Sequence, residues 1–126
     1  MKIKDHFQEL ISNVYKEYKF MFQKSDQAIY IYLDDHHKLC NDKYAKMLGY
    51  KNADEWQTIK KSLLDATVSK KSQSTLVKAY QNAVDNFIGS VIDITWNKKS
   101  GGEIKTKVIL VPIIYDNHIF ALHFVY

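Results

Sequence analysis

Residues 28–50 read AIYIYLDDHHKLCNDKYAKMLGY, and their order decides the fold. Residues 28–33 are β-branched and aromatic, which predicts a strand. Asp34-Asp35-His36-His37 supplies turn chemistry. Lys38-Leu39-Cys40 makes a second short strand. Asn41 or Asp42 can then cap a helix that buries Tyr44, Ala45, Met47 and Leu48. Gly49 stands where a left-handed C-terminal cap is expected. A tight hairpin that runs straight into a short capped helix is therefore the entry to the domain.

Downstream, residues 51–61 predict a second short helix, capped near Asn52 and carrying Trp56. Residues 62–71 are polar and point to no single element. Residues 73–87 form a clearer helix, because Leu76, Val77, Tyr80, Ala83, Val84 and Phe87 recur on one face. Gly89 is expected to end it. Three strands come next, at 90–97, 103–115 and 118–126. The turns Lys98 to Gly102 and Asp116-Asn117 join them, and both are short enough for an antiparallel meander. Pro112 has no N–H, so it predicts an edge position or a bulge in the long strand. The order is helix, two strands, about three helices, three strands. It predicts an α+β fold with one five-stranded antiparallel sheet and helices on one face.

Upstream, residues 3–23 predict an amphipathic helix. Phe7, Ile11, Val14, Tyr18 and Met21 recur at 4-3-4-3 spacing, and Ile3, Leu10, Tyr15 and Phe22 widen the stripe. Such a seam packs either on its own domain or on a second copy of the helix. The width of the stripe favours dimerisation. The chain thus divides into a dimerisation helix, 1–23, and a domain, 24–126.

A chain of 126 residues is one domain with room for its own core. Its 18 cations are all lysine, against 14 acidic residues, for a net charge of +4. Arginine, the usual residue for bidentate phosphate or guanine contacts, is absent, so nucleic-acid binding is disfavoured. Cys40 is the sole cysteine, which excludes an intrachain disulfide and suits a reducing cytoplasm. Lys4, Asp5, His6, Gln8 and Glu9 interrupt any signal-peptide core. No window reaches the ~20 apolar residues of a membrane span.

The order of elements resembles that of a PAS domain over roughly residues 24–126. Asp34-Asp35 occupies the turn between the first two strands. Asn41 begins the first core helix and Gly49-Tyr50 closes it, with Asp54-Glu55-Trp56 after it. Lys98 through Gly102 matches a lysine- and glycine-bearing hairpin, and Pro112-Ile113 with Asp116 matches the end of the long strand and its turn. The resemblance implies a stand-alone cytoplasmic sensory or interaction module. It would dimerise through the preceding helix and bind a small apolar or aromatic ligand or a signalling protein. Ile92, Ile94 and Trp96 are the expected inner set of their strand, since burying Asp93 unpaired is costly. For the first strand, Tyr30 and Tyr32 compete with Ile29, Ile31 and Leu33 for the inner face. Tyr44, Trp56, Tyr80 and Trp96 are the candidate pocket residues, with plain core packing as the competing role.

The residues argue against several chemistries. The cysteine-bearing signature of photoactive flavin-binding members does not occur between Asp54 and Phe87. The helix at 73–87 lacks the histidine that haem-binding members supply. Tyr80 could ligate iron in principle, but it lies on the apolar stripe. Cys40 reads as a small buried hydrophobe. Asp34 to His37 has metal-ligand residue types, but consecutive turn residues do not converge on one ion. His118 and His123 fall on opposite faces of one strand. No nucleophile-and-base motif or phosphate loop occurs. The alternatives are a small α+β enzyme with a cone-shaped apolar pocket, or an adaptor with a filled core.

Overall fold

Asn41 turns the chain from strand to helix. Its Oδ1 accepts the Tyr44 N–H at 3.0 Å, which caps the helix, and the Ile29 N–H at 3.1 Å. Its Nδ2 donates to the Gln27 carbonyl at 2.7 Å. One buried amide thus joins the start of the first strand to the start of the first core helix. The structure is a computed structural model, and it describes residues 6–126.

The elements are α1 (His6–Lys24), β1 (Ala28–Asp34), β2 (His37–Cys40), α2 (Asp42–Met47), α3 (Ala53–Gln57), α4 (Leu63–Thr67), α5 (Lys70–Asn86), β3 (Ser90–Asn97), β4 (Glu103–Tyr115) and β5 (His118–Val125). The strands form one antiparallel sheet in the order β2-β1-β5-β4-β3. The first and last strands pair at its centre. The polar stretch 62–71 resolves into α4 and the first residues of α5. Val68 between them makes an isolated bridge to Trp96.

Both faces of the sheet are covered. On the inner face, α2 to α5 close a core containing Tyr30, Tyr44, Trp56, Ile94, Trp96 and Leu110. On the outer face, Leu10, Ile11, Val14 and Phe22 of α1 bury Ile29, Ile31, Leu39, Phe120 and Leu122. Tyr30 and Tyr32 therefore take the inner face of β1, and Ile29, Ile31 and Leu33 the outer one. On β3 the inner set is Ile92, Ile94 and Trp96, while Val91 and Asp93 are exposed.

The seam of α1 thus serves its own domain at Ile11 and Val14, which are buried within the chain. Tyr18 and Met21 are half-buried, Phe7 is largely exposed, and Ile3 lies outside the described residues. A contact between two copies would have to use other side chains than Ile11 and Val14.

Two punctuation signals act differently from expectation. Gly89 does not end α5; Phe87 takes the left-handed conformation at φ 57°. Gly89 is instead a close-approach position, since a Cβ there would lie 3.0 Å from the Leu110 carbonyl oxygen. Pro112 lies opposite Ala121 of β5, but the β3 ladder ends at Leu110. Its missing N–H therefore faces the part of β4 that is an edge. Asp116 and Asn117, at φ 51° and 62°, make the two-residue turn from β4 to β5.

Candidate functional site

The four candidate pocket residues converge on the inner face around a fifth, Tyr30. The Tyr30 ring stacks on Tyr44 at 4.7 Å and meets Trp56 at 5.8 Å and Trp96 at 5.9 Å, both edge-on. Its other face stacks on His123 at 3.9 Å with an interplanar angle of 10°. Tyr80 lies parallel to His123 at 6.5 Å, and its hydroxyl donates to the Tyr32 carbonyl at 3.3 Å. Tyr30, Tyr44, Trp56, Trp96 and His123 are buried, and Tyr80 is half-buried. The sheet places Tyr30 and His123 side by side because they are direct partners across β1 and β5. Neither is a candidate site residue on sequence grounds. Their shared face becomes visible only when the last strand is paired with the first.

Polarity inside this cluster is incompletely satisfied. Trp96 Nε1 donates to Thr106 Oγ1 at 2.7 Å. The Tyr44 hydroxyl, Trp56 Nε1 and His123 Nδ1 are buried and make no hydrogen bond among the described residues. Each such group costs about 1–3 kcal/mol relative to a bonded one. Burial pushes the phenols of Tyr30 and Tyr44 up, so both are neutral. Burial lowers the His123 imidazole to about 3, and the nearby backbone of Tyr30 and Ala121 opposes this only in part. The rings of the cluster are therefore uncharged, the Tyr44 hydroxyl and Trp56 Nε1 are donors without acceptors, and the Lys38 ammonium lies 5.5 Å from the centre of the Trp56 ring.

None of Tyr44, Trp56, Tyr80 and Trp96 lines either of two surface clefts. One cleft, of about 1020 Å³, lies between α1 and the α2–α3 region, on the outer side of β2. The smaller, about 550 Å³, lies by β3 and the start of α5.

The turn after β1 is structural. Asp34 Oδ1 accepts the His36 N–H at 2.9 Å and lies 2.7 Å from His37 Nδ1. Asp35 Oδ1 accepts the Tyr32 hydroxyl at 2.9 Å and the Leu63 N–H at 3.1 Å. Both carboxylates thus hold protein donors. Among the described residues, no group of three or more His, Cys, Asp or Glu is suited to hold a metal ion. Cys40 is buried, and burial pushes its thiol far up, away from thiolate chemistry. Lys38 carries no signal in the sequence beyond its place on a strand. It is buried, and its ammonium donates to the carbonyls of Asp35, Gln57 and Ile59, which ties the hairpin to the C-terminal end of α3.

The strand order, the central pairing of β1 with β5 and the helices between β2 and β3 recur in solved structures. A PAS domain from a two-component sensor histidine kinase superposes with a TM-score of 0.65 at 15% identity, over 90% of this chain and 97% of that one. The PAS domain of a Colwellia psychrerythraea protein gives 0.64 at 18% identity, over 90% and 95%. The PAS domain of an HTR-like protein from Haloarcula marismortui gives 0.60 at 16%, over 94% of each. The chain has the PAS fold. At these identities the likeness shows the fold alone. No family model matches the sequence, and no curated protein matches it significantly. Within the PAS fold, the aromatic cluster occupies the space between the sheet and α2 to α5. Among the described residues, no helix is long and apolar enough to cross a membrane.

Proposed function

We propose that this PAS-fold chain is a sensory and interaction module, not a catalyst, that takes a small apolar or aromatic ligand into its inner cluster. One observation carries the reading. Tyr44, Trp56 and His123 bring three buried polar atoms without partners to one aromatic interior. A ligand with an aromatic or apolar body and polar atoms would stack on the rings, with an acceptor for the Tyr44 hydroxyl or Trp56 Nε1. Tyr30 bridges this interior to β5, and β1 carries the outer-face residues beneath α1, so filling the cluster would shift the packing of α1.

Dimerisation is the second part of the proposal, with the contact moved away from Ile11 and Val14. Phe20 of α1 is 75% exposed, and Val91 and Val111 lie exposed on the outer sheet face. A second copy covering these side chains would receive the shift of α1. The variant Phe20→Glu with Val91→Glu is expected to be folded and monomeric by light scattering, against a dimeric parent.

Native mass spectrometry of the purified chain, with its absorption spectrum, tests the ligand. A one-to-one adduct that is colourless and lost on denaturation is expected. A haem or flavin spectrum would overturn the ligand class. Tyr44→Phe separates a sensor from an adaptor with a filled core. It should leave the ligand-free protein as stable or more so, by up to about 1 kcal/mol, because it removes an unpartnered hydroxyl. In a sensor it also weakens ligand retention. Unchanged melting with no bound molecule in either protein favours the adaptor.

A further inference from the structure

The larger cleft is separate from the aromatic cluster and differs from it in charge. It lies between α1 and the α2–α3 region, with β2 at its floor. Lys16 and Lys19 from α1 and Lys43 from α2 line it, with Asp42 and Asp54, and Lys38 of β2 borders it while turning its ammonium inward, 5.5 Å from the centre of the Trp56 ring. Three lysines outside the cleft pair with carboxylates. Lys99 pairs with Glu55 at 2.9 Å, Lys107 with Asp93 at 2.9 Å and Lys71 with Glu103 at 3.7 Å. Lys16, Lys19 and Lys43 make no ion pair among the described residues. Asp42 accepts the Ala53 N–H with its Oδ1 at 2.9 Å and keeps its charge, so Lys16, Lys19 and Lys43 exceed Asp42 and Asp54 by one positive charge. Lys38 holds three backbone carbonyls and has no carboxylate in direct contact.

An excess of cations inside a concavity focuses positive potential, because the low-dielectric walls limit screening. Tyr15 adds a half-buried ring to the same cleft. The volume of about 1020 Å³ suits an organic molecule rather than a single inorganic ion.

We propose that this cleft binds a small multivalent organic anion, whose phosphate or carboxylate groups bridge the lysines of α1 to Lys43 of α2. The body of the anion rests on Tyr15. Such a ligand ties α1 to the helical side of the domain across the β2 edge. It holds α1 on the sheet, which makes the cleft a second input besides the inner cluster.

Isothermal titration calorimetry of the full chain at low salt tests this, with adenosine triphosphate, tripolyphosphate and citrate as probes. Tripolyphosphate without citrate binding assigns phosphate, and the reverse assigns carboxylate. One-to-one binding of at least one probe, with a raised melting temperature, is expected. Lys19→Gln with Lys43→Gln should weaken it roughly tenfold or more, through loss of charge-assisted contacts on both walls. Lys61→Gln with Lys98→Gln carries the same net charge but leaves the cleft intact, and should bind as the parent does. Tyr44→Phe should also bind as the parent does, which separates this site from the inner cluster. Absence of binding by all three probes overturns the proposal. So does equal weakening by the two lysine pairs, since that is diffuse attraction to a basic protein. Circular dichroism of each variant confirms that a loss of binding is not a loss of fold.

Discussion

Asn41 joins three segments with one side chain, and its replacement should be felt in all of them. Asn41→Ala removes the cap of α2 and orphans the Ile29 N–H inside the protein. The two losses together are expected to cost about 2–4 kcal/mol in urea unfolding. A cost well under 1 kcal/mol would show that water replaces the amide. Phe87 makes the opposite case. Its left-handed backbone disfavours a side chain, and its ring is half exposed. Phe87→Gly should therefore raise stability by about 0.5–1 kcal/mol, and a lower melting temperature would mean the ring packs more than its exposure implies. Asn41 was legible as a helix cap from its position alone. Its bonds to Ile29 and Gln27 were not, because they cross from one element to another.

At the scale of elements, α1 is the instructive one. Its heptad spacing is real, but the surface it matches is the outer face of its own sheet. Ile29 and Ile31 of β1, Leu39 of β2, and Phe120 and Leu122 of β5 all lie beneath it. Burying such a side chain is worth about 1.5–3 kcal/mol. Deleting residues 1–24 should therefore give an aggregating, dye-binding protein rather than a soluble monomer. A soluble truncated domain that melts as the parent does would show that α1 is dispensable to the core. The width of the α1 stripe was visible in the sequence. Its target was not, because a buried sheet face and a partner helix ask for the same apolar spacing.

Across the whole molecule, the first and last strands meet at the sheet centre and enclose His123 between Tyr30 and Tyr80. Its imidazole is held neutral down to about 3. The unfolded chain takes up that proton near its ordinary value of about 6.5. Below that pH the unfolded state binds more protons than the folded one, so stability falls as pH falls. The slope is about 1.4 kcal/mol per pH unit, and the full stability is present above about pH 6.5. Between pH 6.5 and 5, His123→Phe should remove ~2 kcal/mol of that loss, whatever its own stability. Parallel unfolding curves for parent and variant over this window would contradict the burial of a neutral ring.

Residues 28–50, the helix stripes and the two hairpin turns determined every element but α4, their order and the PAS resemblance. Those are local properties, set by alternation, capping and turn chemistry over a few residues. The same locality placed Tyr44, Trp56, Tyr80 and Trp96 on inward faces. What only the tertiary structure decided is which of those faces meet. Tyr30 and His123 entered the site through a strand pairing that spans almost the whole domain. Lys38 gained three carbonyls from residues 35, 57 and 59. The lysines of α1 and α2 came to share a cleft because α1 lies on the outer face of the sheet rather than away from it. Spacing along a chain determines what a segment can bury, and long-range pairing decides what it is buried against.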